Sequence, residues 1–175
     1  PPEGGVKKSK RTKIIVISSA CFVVVAVVAA ILIVNFLSAQ KAKEIRETYI
    51  DNLNKAVSYM IDGGSDAESL CILTGKVWKN TIFETDNAET DKYTKTADGS
   101  FYSSFNDAVS YLYKDASTIV TIQSIKTNQI LAEDIMDQLK DPTEEFEECY
   151  DAMKELYDAF EKLTGLAIEP KGTLQ

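Results

Sequence analysis

The stretch Ile14–Leu37 reads IIVISSACFVVVAVVAAILIVNFL, with neither a charge nor a proline. Roughly 20 apolar residues at 1.5 Å rise cross a ~30 Å hydrocarbon layer, so the run is long enough to span a bilayer with some tilt. It is too long for a signal-peptide core, which has about 7–15 apolar residues before a small-residue cleavage site. Leu37, two residues before Ala39, also fits such a site poorly. A lipoprotein box at Ser19-Ala20-Cys21 lacks its leading leucine, and the apolar run continues well past Cys21. Few buried core helices stay apolar on every face for this length. The expectation is one transmembrane helix.

The flanks set its direction. Lys7, Lys8, Lys10, Arg11 and Lys13 precede the run, whereas Lys41, Lys43 and Arg46 follow it mixed with Glu44 and Glu47. Short basic flanks stay cytoplasmic. This predicts a single-pass protein of the cell membrane, with its N-terminus in the cytoplasm and residues 38–175 extracytoplasmic. The lipid bilayer is then one partner. Residues 1–6 (PPEGGV) read as a linker, and the start at Pro1 leads us to expect a preceding cytoplasmic segment.

Charge narrows the function classes. The chain has a formal charge of −8; residues 1–13 carry +4, which leaves −12 on the remainder. Nucleic-acid binding depends on Lys and Arg neutralising phosphates, so no nucleic-acid partner is expected. The sequence has no histidine, which removes Ser-His-Asp and Cys-His catalysis and His-ligated zinc. No cofactor, metal ligand set or catalytic residue is assigned, and the expectation is a non-enzymatic protein. Cys21 lies inside the apolar run. Cys71 and Cys149 lie outside it, and both a disulfide between them and two free buried thiols fit the sequence.

Downstream of the run the pattern is helical. Ile45, Tyr49, Leu53, Ala56 and Met60 recur at steps of three or four, which predicts a helix from about 13 to 61. Gly63-Gly64 is expected to end it. Ser65-Asp66-Ala67-Glu68 then fits a capping box opening a second helix, with Leu70, Leu73, Val77 and Thr81 on its apolar stripe. Residues 85–100 are polar and aperiodic, and read as a flexible loop with a turn or two of helix at its start. Phe105, Ala108, Val109, Leu112 and Ala116 begin a third helix, expected over 101–140 with a bend in the β-branched segment 118–127. Asp141-Pro142 marks the next boundary, with Asp141 as cap of a last helix that Gly165 closes. Residues 166–175 are expected to be an extended tail, with Leu166 and Ile168 docked on the bundle.

The predicted fold is all-α. A transmembrane helix (14–37) continues into an extracytoplasmic antiparallel four-helix bundle within 38–165. Two aromatic residues are candidate partner or ligand contacts: Trp78, the single tryptophan, and Tyr93 in the loop. The six tyrosines of the expected helices, at 49, 59, 111, 113, 150 and 157, would line an interhelical pocket if they converged. Glu144, Glu145, Glu147 and Glu148 are placed where a helix N-terminus favours negative charge. With its basic flank, Trp78 in the second helix and the tail Pro170-Lys171-Gly172-Thr173-Leu174, the chain resembles single-pass bacterial membrane proteins with an extracytoplasmic helical domain. That resemblance implies a location and no activity. The leading expectation is a binding or scaffold protein of an envelope complex, contacting its partner by a bundle face or the 85–100 loop. The alternatives are a small-ligand sensor with a pocket near Trp78 and an envelope enzyme with a carboxylate pair.

Overall fold

The computed structural model describes residues 43–170. Among them the architecture is all-helical, without named strands. The expected membrane span at 14–37 and the end of the tail at 171–175 lie outside the described residues. Among the described residues, no helix is long and apolar enough to cross a membrane.

Helix α1, Lys43–Ile82, is an unbroken 40 residues and the spine of the fold. At 1.5 Å per residue it is roughly 60 Å long. The break expected at Gly63-Gly64 does not occur. Leu53, Ala56, Met60, Gly63, Ala67, Leu70, Thr74, Val77 and Thr81 are all buried, and they alternate in steps of three and four. That spacing keeps one seam facing its neighbours along the whole rod. Gly63 belongs to the seam: a side chain there would meet Asn128 Cβ at 2.8 Å and Phe160 Cε2 at 3.0 Å. The glycine serves close helix approach rather than termination. Ser65 and Glu68 stand exposed in the helix interior instead of capping its start.

Two helices pack along the first three-quarters of α1. Helix α4, Ala116–Leu139, runs antiparallel to it, and α5, Glu147–Ile168, runs parallel. Matched levels fix these directions. The Tyr49 hydroxyl donates to the Leu139 carbonyl at 3.1 Å, and the Tyr49 ring stacks on Phe146 at 4.5 Å. Higher up, Ala67 and Leu70 share a core cluster with Ile125 and Ala167. The body is therefore three long helices, not four, because the two helices expected on either side of Gly63-Gly64 are one. Its main core joins Leu53, Ala56, Met60, Ala132, Met136, Leu139, Phe146, Cys149, Met153, Leu156 and Phe160.

The remaining boundaries also moved. The expected 101–140 helix is split into α3, Phe105–Lys114, and α4, with Asp115 extended between them at φ −66°, ψ 137°. The Asp115 carboxylate accepts from the Ser117 amide at 3.0 Å and caps α4, so the irregularity sits at Asp115 and residues 118–127 are regular helix. Asp141 adopts a left-handed φ of 67°, and a 3₁₀ turn, Glu144–Phe146, precedes α5. Asp141 thus turns the chain and does not cap the helix. Gly165 does not close α5, which continues to Ile168. Ile168 packs on the Ala67–Leu70 cluster as expected, whereas Leu166 is exposed.

Candidate functional site

Helix α5 ends beside Leu70, and α1 continues for three more turns. What covers that extension is a cap drawn from residues 84–115. It contains the short helix α2, Asp91–Thr94, then a tight reversal, then α3. The reversal pairs Lys95 with Phe101 and places Gly99 at φ 86°, where glycine carries no Cβ penalty.

Residues 85–100, expected to be a flexible loop, are instead built into this cap. Thr90, Tyr93 and Thr94 are buried. Tyr93, a candidate partner contact, is only 4 % exposed and packs in a cluster with Val77, Ala108 and Leu112. It is core, and its ring is closed off further by Lys92 Nζ at 4.4 Å from the centroid. Polar aperiodic sequence hid this, because the burial comes from one aromatic and two threonines rather than from an apolar stripe.

Trp78, the other candidate contact, is half-buried on α1 and packs on Phe105, with ring centroids 5.2 Å apart. Its indole N–H is buried without a hydrogen-bond partner, as is the Thr94 hydroxyl. Asn80 Nδ2 donates to Thr90 Oγ1 at 2.8 Å, which joins α1 to the cap beneath the surface. Outside, Lys76 pairs with Glu89 at 2.8 Å, and Lys92 with Asp115 at 3.3 Å. Lys95 pairs with both Asp86 and Asp91, at 2.6 and 3.0 Å. The carboxylates Asp86, Glu89 and Asp91 of this segment are thus matched by lysines. Asp91 is held below the usual carboxylate range by the Asn87 amide and then by Lys95.

The far end of α1 and the cap also carry exposed apolar groups, of which sequence pattern did not single out Phe83. Phe83 is 69 % exposed at the end of α1, next to the exposed Ile82. Tyr111, also exposed, stacks on Tyr102 with centroids 4.9 Å apart. Phe83 falls just past the helix end, so no helical stripe includes it. Exposure of this kind is settled only by where the chain turns.

The tyrosines do not converge on a pocket. Tyr49 packs on Phe146 near the start of α1, Tyr157 packs near Phe160, and Tyr113 bridges α1 and α5. An open groove of about 530 Å³ lies at the end of α5, lined by Lys126, Gln129, Gly165, Leu166, Ile168 and Glu169. Neither Trp78 nor a tyrosine lines it. Tyr157 donates to Glu161 at 3.0 Å; burial, then Glu161, Glu133 and Asp137, push its hydroxyl pKa upward. These carboxylates lie on exposed helix surface rather than in a cleft. Of the acidic run opening α5, Glu145 pairs with Arg46 at 3.5 Å. Among the described residues, no group of three or more His, Cys, Asp or Glu side chains could hold a metal ion.

Cys71 and Cys149 are both free. Cys149 belongs to the core near the start of α5, and Cys71 packs against the Ala67–Leu70 cluster higher up. The disulfide considered from the sequence is not formed. Compared with known protein families, with curated proteins and with solved structures, the chain matches none.

Proposed function

We propose that this chain is a membrane-anchored scaffold or binding protein, non-enzymatic, whose helical body stands outside the membrane and presents its cap to a protein partner. The observation that carries the proposal is the unbroken α1. Its described part runs from Lys43, shortly after the apolar run that ends at Leu37, to Ile82. A rod of roughly 60 Å anchored at one end holds the other end well clear of a bilayer. Phe83, Ile82 and Tyr111, which stacks on the half-buried Tyr102, are exposed apolar and aromatic groups toward that distant end. Exposed aromatic side chains rimmed by charges are the composition that protein interfaces favour.

The sensor alternative calls for a pocket beside Trp78. Phe105 occupies that side of the indole, so the scaffold reading has the better support. In the proposed orientation the cap lies outside the cell, and the basic flank at residues 7–13 stays at the cytoplasmic headgroups.

Photo-crosslinking in cells tests the proposal. A photoreactive residue is placed at Phe83 or Tyr111, with Glu155 on α5 as control. One protein captured in near-stoichiometric yield from Phe83 or Tyr111, and not from Glu155, supports the proposal. A well-folded, surface-accessible protein that captures nothing from either Phe83 or Tyr111 sinks it. Protease added to intact cells checks orientation: cleavage within 84–115 from outside is the expected result.

A further inference from the structure

We propose that residues 84–115 open as one cooperative unit while α1, α4 and α5 remain packed. The inference rests on packing alone and does not depend on the membrane or partner reading above.

The segment is bounded by two points where the backbone leaves the helix. At one end Glu84 takes a left-handed φ of 46°, and at the other Asp115 is extended between α3 and α4. Between them the apolar core is small. The buried residues of the cap cluster are Val77, Tyr93, Ala108 and Leu112. The main body cluster has eleven, including Phe160, Leu53, Met60 and Leu156. Free energy of opening scales with the apolar surface that opening exposes, so the cap is the less stable unit. No α5 residue belongs to the cap cluster.

Two buried polar atoms add to the imbalance. Trp78 Nε1 and Thr94 Oγ1 lack partners. Burying an unpaired polar group is costly, and opening returns both to water. Besides the packing of the cap on Val77 and Trp78 of α1 and of Tyr113 on the Ala67–Leu70 cluster, the cap is tied to the body by polar contacts. Tyr113 donates to the Ala167 carbonyl at 2.6 Å, Asn80 donates to Thr90 at 2.8 Å, and Lys76 pairs with Glu89 at 2.8 Å. Water competes for each of these once the segment begins to lift. Opening uncovers Val77 and frees Trp78 from Phe105, which adds apolar surface at the end of the rod.

Hydrogen exchange read by mass spectrometry, on the full chain in detergent micelles, tests the proposal. Amides of 91–94 and 105–114 should exchange at one common rate, about tenfold or more faster than those of 53–70, 125–136 and 149–160. Tyr113→Phe removes the hydroxyl that bonds to both Ala167 and Thr74 and should speed cap exchange by roughly fivefold, with far less effect on 53–60, 128–136 and 149–160. Trp78 gives a second readout, being the single tryptophan. Its emission should shift to the red at lower urea than the loss of helix ellipticity. A common exchange rate for cap and body overturns the proposal, as does coincidence of the two urea transitions. Separate rates for 91–94 and 105–114 also overturn it, because the cap would then not be one unit.

Discussion

Gly63 on α1 lies so close to Asn128 on α4 that a Cβ at position 63 would stand 2.8 Å from the Asn128 Cβ. The third face of the contact is Phe160 of α5, at 3.0 Å. One missing side chain thus sets the spacing of all three helices of the body. Gly63→Ala is expected to destabilise the fold by roughly 1–2 kcal/mol, since overpacking outweighs the gain in helix propensity. Gly75, exposed on the same helix with nothing near its absent Cβ, is the control. Gly75→Ala should stabilise by up to about 1 kcal/mol. Urea melts of the two variants check the opposite signs.

Alkaline stability should fall with the tyrosines. Burial pushes the Tyr49 hydroxyl pKa up to about 12, with smaller contributions from Tyr150 and Cys149, and burial also raises Tyr113. For groups raised on folding, the stabilisation is complete below the unfolded pKa near 10 and is lost as pH rises through the folded value. Helix ellipticity should therefore hold to about pH 10 and decline toward pH 12. Absorbance at 295 nm should show Tyr49 ionising late. Tyr49→Phe should reduce the loss in that window.

Acid should weaken the α3–α4 junction. The Asp115 carboxylate is held below its ordinary pKa by Ser117 and by Lys92. A depressed carboxylate contributes stability above its unfolded pKa, and that contribution is lost as pH falls through the folded value. Asp115→Asn keeps a capping oxygen and loses the charge, so its cap should depend less on pH below about 4. Two-dimensional NMR of the Ser117 amide through an acid titration checks this. An amide shift that ignores pH in the parent protein would count against the cap.

Thiol chemistry should show no bond between Cys71 and Cys149. Both thiols are free, and burial raises the pKa of each. Intact mass after denaturing alkylation without reductant should show both carrying label. Under native conditions Cys71, partly exposed on α1, should label before Cys149, which is fully packed in the main core. Cys149→Ala should cost roughly 1–2 kcal/mol through the cavity it leaves.

Much of the helical order was legible because it lies in local spacing. Phe146, Cys149, Met153, Leu156 and Phe160 recur at three and four, and all are buried, Phe146 in the turn before α5 and the others on it. The α1 seam was equally present in the sequence, since Met60, Gly63, Ala67 and Leu70 keep the alternation through the glycine pair. Local stop signals outweighed it only on inspection: Gly63-Gly64 followed by Ser-Asp-Ala-Glu looks like an end and a beginning. In the folded chain, contact with Asn128 and Phe160 offsets the cost of glycine in a helix.

The sequence by itself determined the class of secondary structure, the apolar run at 14–37, and the chemistries closed to a chain without histidine. These are properties of composition and of neighbours three or four residues apart. Tertiary structure decided that α1 does not break, that Tyr93 is core, that Phe83 is surface, and that the two cysteines stand apart. The first two depend on residues distant in the chain, Asn128 against Gly63 and Leu112 beside Tyr93, whereas Phe83 is set outside by the turn at Glu84 next to it. Burial is a relation between segments, and no local spacing encodes which segments meet.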